Sequence, residues 1–220
     1  MLLEYINFSP DFSDNDFNIF IENLSRNIST VILPSYYIRA ARQKLKEQIN
    51  ISCLIDFPLG ISDSQSRIES CKYAIKNKVN YIDIVMPTNL LANRKYDKIR
   101  EELKNIKELC DESGTDIRYI LEYRSFEHQC LKKACEILLS YDINTISLST
   151  GYGVDVLSDF IIASKFLTSA SNLKLNISLS ANFWSENHMN LIIQNNFYSV
   201  RSQYVTNLDY LANFLQKPAQ

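Results

Sequence analysis

Thr145-Ile146-Ser147-Leu148-Ser149-Thr150-Gly151 reads as a short strand running into a turn. Side chains alternate along a strand. Ile146 and Leu148 therefore share one face, and Thr145, Ser147 and Ser149 share the other. An apolar face suits packing against helices, whereas a face of hydroxyls suits the interior of a barrel. The pattern recurs along the chain. Leu175–Ser180 groups Asn176, Ser178 and Ser180, and Tyr81–Met86 groups Tyr81, Asp83 and Val85. Ile117–Glu122 groups Arg118, Ile120 and Glu122, and Ile51–Asp56 groups Ser52, Leu54 and Asp56. In Tyr198–Ser202, Ser199 and Arg201 alternate with Val200. Thr30–Leu33 is a further strand, and Tyr5–Phe8 is a weak one.

Helical segments lie between these runs: Asp14–Arg26, Tyr36–Gln48, Ser64–Lys78, Lys95–Ser113, Glu127–Tyr141, Val154–Ala170, Glu186–Gln194 and Asn207–Leu215. Ser62 or Ser64, Ser125 and Ser185 are candidate N-caps. Strand–helix alternation implies a mostly parallel sheet. Eight such units in 220 residues suit an α/β (β/α)8 TIM barrel, with an open doubly wound sheet as the alternative from pattern alone. No linker-like stretch divides the chain, so a single domain is expected over residues 1–220.

Hydrophobic residues make up 46% and charged residues 22%, with a net charge of −2. That balance points away from nucleic acid and anionic membranes as partners. No run of about 18 apolar residues suggests a membrane span, and the start lacks a basic region followed by an apolar run, so no secretory signal is expected. Five cysteines without paired spacing fit reduced thiols in a cytoplasm. Cys130 and Cys135 lie five apart on one helix, which is poor spacing for zinc. Only 4 glycines are present, against about 15 at average usage of ~7%. Few places remain where bare backbone could cradle a phosphate.

The inward set holds Asp56, Asp83, Glu122, Arg118 and Arg201. Unpaired buried charge is costly, so a cluster at strand ends is expected to form a solvated pocket. The structural alternative is an ion network joining Arg118 to Asp83 and Glu122.

Asp56-Phe57-Pro58-Leu59-Gly60, Asp83-Ile84-Val85-Met86-Pro87, Ile120-Leu121-Glu122 and Ser149-Thr150-Gly151 stand in an order and spacing that resemble the deoxyribose-phosphate aldolase family. The resemblance runs from Val31 to the last strand. It implies a class I aldolase TIM barrel, cytoplasmic and dimeric, without metal or other cofactor. In that family a lysine amine attacks the aldehyde carbonyl to form a Schiff base, and a second lysine lowers its pKa. Asp83 matches the family's proton-relaying aspartate. Ser147 stands where the Schiff-base lysine belongs, and Ser178 where the activating lysine belongs. Arg118 falls where the family has another cation. Family phosphate positions read Gly151-Tyr152 and Ala181-Asn182 here, and Ser202 matches a phosphate-binding serine.

Serine cannot form an imine. His128 and His188 fall in outer helices, which disfavours a serine–histidine hydrolase. Lys174 sits at the wrong end of its strand, and arginine does not form imines at physiological pH. Three functions follow. One is a divergent enzyme acting on a small carbonyl compound through Asp83, Glu122, Arg118, Ser147 and Ser178, with Asp56, Gly151, Tyr152, Asn182, Arg201 and Ser202 binding a carbonyl or sugar-like substrate. The second is an inactive pseudoenzyme that binds a small molecule or partners another subunit. The third is a working deoxyribose-phosphate aldolase.

Overall fold

The computed structural model describes residues 1–45, 47–153, 155–170 and 172–216. Eight parallel strands close into a barrel in chain order. They are β1 (Leu2–Ile6), β2 (Thr30–Pro34), β3 (Asn50–Ile55), β4 (Tyr81–Val85), β5 (Asp116–Ile120), β6 (Thr145–Ser147), β7 (Asn176–Leu179) and β8 (Ser199–Ser202). Around them lie α1 (Asp14–Glu22), α2 (Ser35–Lys44), α3 (Ser64–Lys76), α4 (Thr88–Ala92), α5 (Tyr96–Ser113), α6 (His128–Leu139), α7 (Leu157–Lys165), α8 (Glu186–Gln194) and α9 (Val205–Leu215). The (β/α)8 barrel expected from the alternation is the fold. The open sheet is excluded because β8 pairs with β1 over Leu2–Tyr5.

Most elements form where the pattern places them, and the differences have local causes. The first strand is Leu2–Ile6 rather than Tyr5–Phe8, because pairing with β8 begins at Leu2 and pairing with β2 ends at Ile6. This register turns Glu4 inward. The N-cap of α3 is Asp63, whose carboxylate accepts from Ser66 N. The cap of α6 is Glu127 rather than Ser125, while Ser185 caps α8 as expected. Of the predicted helices, Lys46 and Val154 lie outside the described residues.

Outward-facing Ile82, Ile84, Tyr119, Ile146 and Val200 are fully buried under the helices. Burial of each aliphatic chain among them is worth about 1.5–3 kcal/mol. After β3 the chain turns sharply. Asp56 takes a left-handed φ of 52° and Gly60 one of 65°. A Cβ on Gly60 would lie 2.3 Å from the Met86 carbonyl oxygen, so only glycine lets this turn press against the end of β4. Arg67 of α3 locks the turn. It pairs with Asp56, lies 2.9 Å from Glu102 Oε1 and donates to the Val85 carbonyl at 2.6 Å.

The barrel interior has two zones. Moving toward the C-terminal mouth, five strands step from a polar to an apolar inward residue. The steps are Glu4 to Ile6, Thr30 to Ile32, Ser52 to Leu54, Asp83 to Val85 and Arg118 to Ile120. Ile6, Ile32, Leu54, Val85 and Ile120 pack together as one cluster, with Phe8 and Phe57 against it. β6 to β8 make no such step, since Ser147, Ser149, Ser178, Ser180, Ser199 and Arg201 keep that side polar.

Candidate functional site

Four charged side chains meet below the apolar cluster. Arg118 Nη1 lies 2.5 Å from Glu4 Oε1, and Arg118 Nη2 donates to Asp83 Oδ2. Arg201 Nε lies 2.8 Å from Glu4 Oε2, and Arg201 Nη2 lies 2.8 Å from Asp83 Oδ1. The result is a closed ring of two carboxylates and two guanidinium groups. Glu4 and Asp83 are 0% exposed, Arg118 3% and Arg201 2%. Ser52 donates to Asp83 at 2.5 Å, and Arg118 lies over the Tyr81 ring at 4.4 Å. Burial pushes the Glu4 and Asp83 carboxyls up, but Arg118 and then Arg201 outweigh it and hold both below the usual carboxylate range. Removing an ion from water costs several kcal/mol. The ring meets that cost by giving every charge two opposite partners.

The polar zone is a chain of hydroxyls. Ser147 Oγ lies 2.9 Å from the Ser149 carbonyl oxygen and 3.1 Å from Ser180 Oγ. Its single proton suits the carbonyl, so Ser180 donates to it. Ser199 donates to Glu4 Oε2 at 3.0 Å and accepts from Ser178 at 2.8 Å. Ser147 and Ser178 sit directly opposite each other across β6 and β7.

Above this chain a small cleft of ≈ 40 Å³ opens at the mouth. Ile6, Phe8, Thr150, Gly151, Gly153, Asp155, Ser180, Ala181, Asn182, Arg201, Ser202, Gln203 and Tyr204 line it. Its polar floor includes Arg201, whose buried Nη1 has no partner. Two carboxyls stand beside it. Glu122 Oε2 accepts from Thr150 Oγ1 at 2.8 Å and Thr150 N at 3.3 Å. Burial pushes the Glu122 carboxyl up against those two bonds, and Asp155 adds to the rise. Burial likewise raises Asp155, opposed by the hydrogen bond from Ser149 and by Arg124, whose Nε lies 3.2 Å away. Thiol chemistry is remote: burial pushes Cys53, Cys110 and Cys135 up to about 12.

No family model matches the chain. Curated relatives do. A deoxyribose-phosphate aldolase of Mycoplasmopsis pulmonis is 27% identical over 146 residues, 65% of each chain. Another, from Clostridioides difficile, is 30% identical over 132 residues, 60% of this chain and 59% of that one. The chain thus matches about three fifths of the length of these relatives. Among solved structures, the aldolase QR15 superposes with a TM-score of 0.82 at 20% identity, covering 97% of this chain and 94% of that one. The tetrameric deoxyribose phosphate aldolase of Aeropyrum pernix gives 0.81 at 16% identity, covering 97% and 89%.

The chain resembles deoxyribose-phosphate aldolases in sequence and shares their barrel fold.

The geometry divides the residues that the family resemblance singles out. Gly151, Asn182, Arg201 and Ser202 come together around the cleft. Asp83, Arg118, Ser147 and Ser178 do not reach it: they are buried beneath it, bonded to one another or to neighbours. In place of the expected solvated pocket, Asp83 and Arg118 lie in the buried interior, and their partners are Glu4 and Arg201 rather than Glu122. Glu122 lies beyond the end of β5, at the mouth. Asp56 does not face inward. Its left-handed backbone turns the carboxylate to Arg67 and to Ser62, whose Oγ lies 2.7 Å away. Tyr152 stands at the rim, 60% exposed, its ring 6.0 Å from that of Phe8. Glu4 and Asp155 are site residues that motif reading misses, while Thr150 lies inside the Ser149-Thr150-Gly151 motif without having been given a role. Glu4 could have been found from its alternation with Leu3 and Tyr5. Asp155 follows a turn with no periodic signal.

In this aldolase relative, no strand carries a lysine among the described residues, and no lysine there is buried. Lys174 is exposed, ahead of β7. Among the same residues no group of three or more His, Cys, Asp or Glu is placed to hold a metal, and no helix is long and apolar enough to cross a membrane.

Proposed function

We propose that this chain is a small-molecule-binding barrel that has kept the aldolase scaffold without imine chemistry. The observation that supports this reading is the two-zone interior. The charged ring neutralises itself and lies under Ile6, Ile32, Leu54, Val85 and Ile120. Asp83 and Arg118 then act as structure, and a ligand meets only the hydroxyl side, over β6 to β8. There it finds Arg201 Nη1, the Ser180 and Ser202 hydroxyls and the Asn182 carboxamide, a set suited to a carbonyl or sugar-like compound. Gly151 and Gly153 line the cleft, but the N–H groups of Thr150, Gly151 and Tyr152 are taken by the Glu122, Ser149 and Thr150 side chains rather than converging on an anion, so simple sugar phosphates bind weakly. A homo-oligomer in the cytoplasm completes the proposal, supported by the family resemblance and by the tetrameric relative.

A second reading is acid–base catalysis at the mouth. Glu122 and Asp155, both raised by burial, would exchange protons with a substrate carbonyl there. Positioned acid–base groups contribute typically 10²–10⁴-fold, enough for enolisation or isomerisation and compatible with the absence of a covalent step.

A melting screen against small carbonyl compounds and sugars tests the proposal. A ligand at about 100 times its Kd adds ~2.7 kcal/mol, and for a chain of this size ~1 kcal/mol moves Tm by about 2–4 °C. The expected result is a shift of several degrees that disappears in Asn182→Trp, where an indole covers the cleft. Shifts that survive in that variant would place binding elsewhere and overturn the reading.

A further inference from the structure

We infer that the ligand of this cleft is amphipathic, with a carbonyl or carboxylate head over β6 to β8 and an aryl or branched-alkyl arm lying against Phe8 and Phe57. The inference rests on the proposed ligand cleft and names the class of compound it takes. Phe8 lines that polar cleft and also a second opening on the same mouth, where Pro10, Pro34, Leu54, Phe57 and Pro58 form the apolar side and Ser35, Asp56 and Ser62 the polar side. The Phe8 ring stands 5.1 Å from Phe57 and 6.0 Å from Tyr152. The two openings are thus neighbouring compartments separated by one aromatic side chain.

Their chemistry is complementary. Proline has no N–H, so the three prolines of the second compartment offer a ligand apolar surface without backbone donors. The polar groups at its edge are already satisfied, because Asp56 is held by Arg67 and by Ser62. An apolar arm fits there along the Phe8 and Phe57 rings and the prolines. In the first compartment the unmatched group is Arg201 Nη1, buried and without a partner. Its charge is balanced within the ring by Glu4 and Asp83. It therefore offers an N–H to an oxygen rather than a net positive charge. That favours a carbonyl or a single carboxylate over a phosphate dianion. The exposed rings of Trp184 and Tyr204, 68% and 60% accessible on the loops after β7 and β8, extend the apolar rim around the same mouth.

Pyruvate and phenylpyruvate are the probes. They share an α-keto-acid head and differ only in the arm. Calorimetry on the full chain should give phenylpyruvate at least about tenfold tighter binding, a difference that corresponds to ~1.4 kcal/mol. In Phe8→Ala the ratio should fall to about two or less. Tyr152→Ala, which removes an exposed ring and spares the core, should lower the ratio too and serves if Phe8→Ala folds poorly. Equal affinities in the wild type would overturn the inference and leave the cleft standing. Binding of neither probe would overturn the inference together with the cleft. An unchanged ratio in both variants would show that the arm does not lie at Phe8.

Discussion

Arg201 Nε donates to Glu4 Oε2 at 2.8 Å across the seam where the last strand pairs with the first. The two residues are register partners, so closing the barrel and closing the ion ring are one event. Arg201→Met should leave Arg118 alone to balance two buried carboxylates. Loss of one partner from a buried ion pair costs about 3–5 kcal/mol. Urea unfolding should show a loss of that size. A loss below ~1 kcal/mol would mean that the ring contributes little.

The same ring sets the response to acid. Glu4 and Asp83 titrate below the usual carboxylate range in the folded chain. Their stabilisation is present above the unfolded carboxylate pKa and is lost as pH falls through the folded values. Unfolding should therefore set in below about pH 4. Glu122 runs the other way, since its folded value is raised: its contribution is full below the unfolded value and is lost as pH rises through the folded one. Glu122→Gln should stabilise the chain at pH 7, and the gain should fade toward pH 4. Melting curves across that range check both signs.

The barrel was legible in the alternation of eight strand and helix segments, and the inward parity of its strands in their period-two alternation. Ser147, Ser178, Asp83 and Arg118 all face inward as the alternation requires. What the sequence did not disclose was depth. Alternation says that Asp83 points inward, but not that Val85 and its neighbours close over it. Pairing was hidden for the same reason. Glu4 and Arg118 are 114 positions apart, and only the closed register brings them together. Asp56 misled because its strand ends at Ile55, and a left-handed residue breaks the alternation one position later.

Gly60 gives a backbone test. Its φ is 65° and an added Cβ would meet the Met86 carbonyl oxygen at 2.3 Å. Gly114 has a similar φ of 68° but open space around it. Gly114→Ala should cost about 1 kcal/mol from backbone strain alone. Gly60→Ala should cost more by thermal or urea melting, because a carbonyl must also move. Equal losses would show that the turn yields easily.

Ser147 and Ser178 face each other across β6 and β7. Ser147→Lys alone should restore little cleavage of 2-deoxyribose 5-phosphate, since an unassisted lysine stays mostly protonated near pH 7. Adding Ser178→Lys sets a second ammonium beside the first, and like-charge proximity lowers the pKa of both. The double variant should release more acetaldehyde than either single one. It should also be less stable, because Asp83 is already engaged by Arg118 and Arg201 and offers no spare charge. Equal release from all three variants would show that the serine pair does not mark an amine site.

The central claim is that the unaltered chain forms no imine. Incubation with 2-deoxyribose 5-phosphate and borohydride, followed by mass analysis of its peptides alongside acetaldehyde release, tests it directly. The account predicts no reduced adduct on any lysine and no acetaldehyde above background. Turnover at ordinary aldolase rates, with an adduct trapped on a lysine, would contradict it.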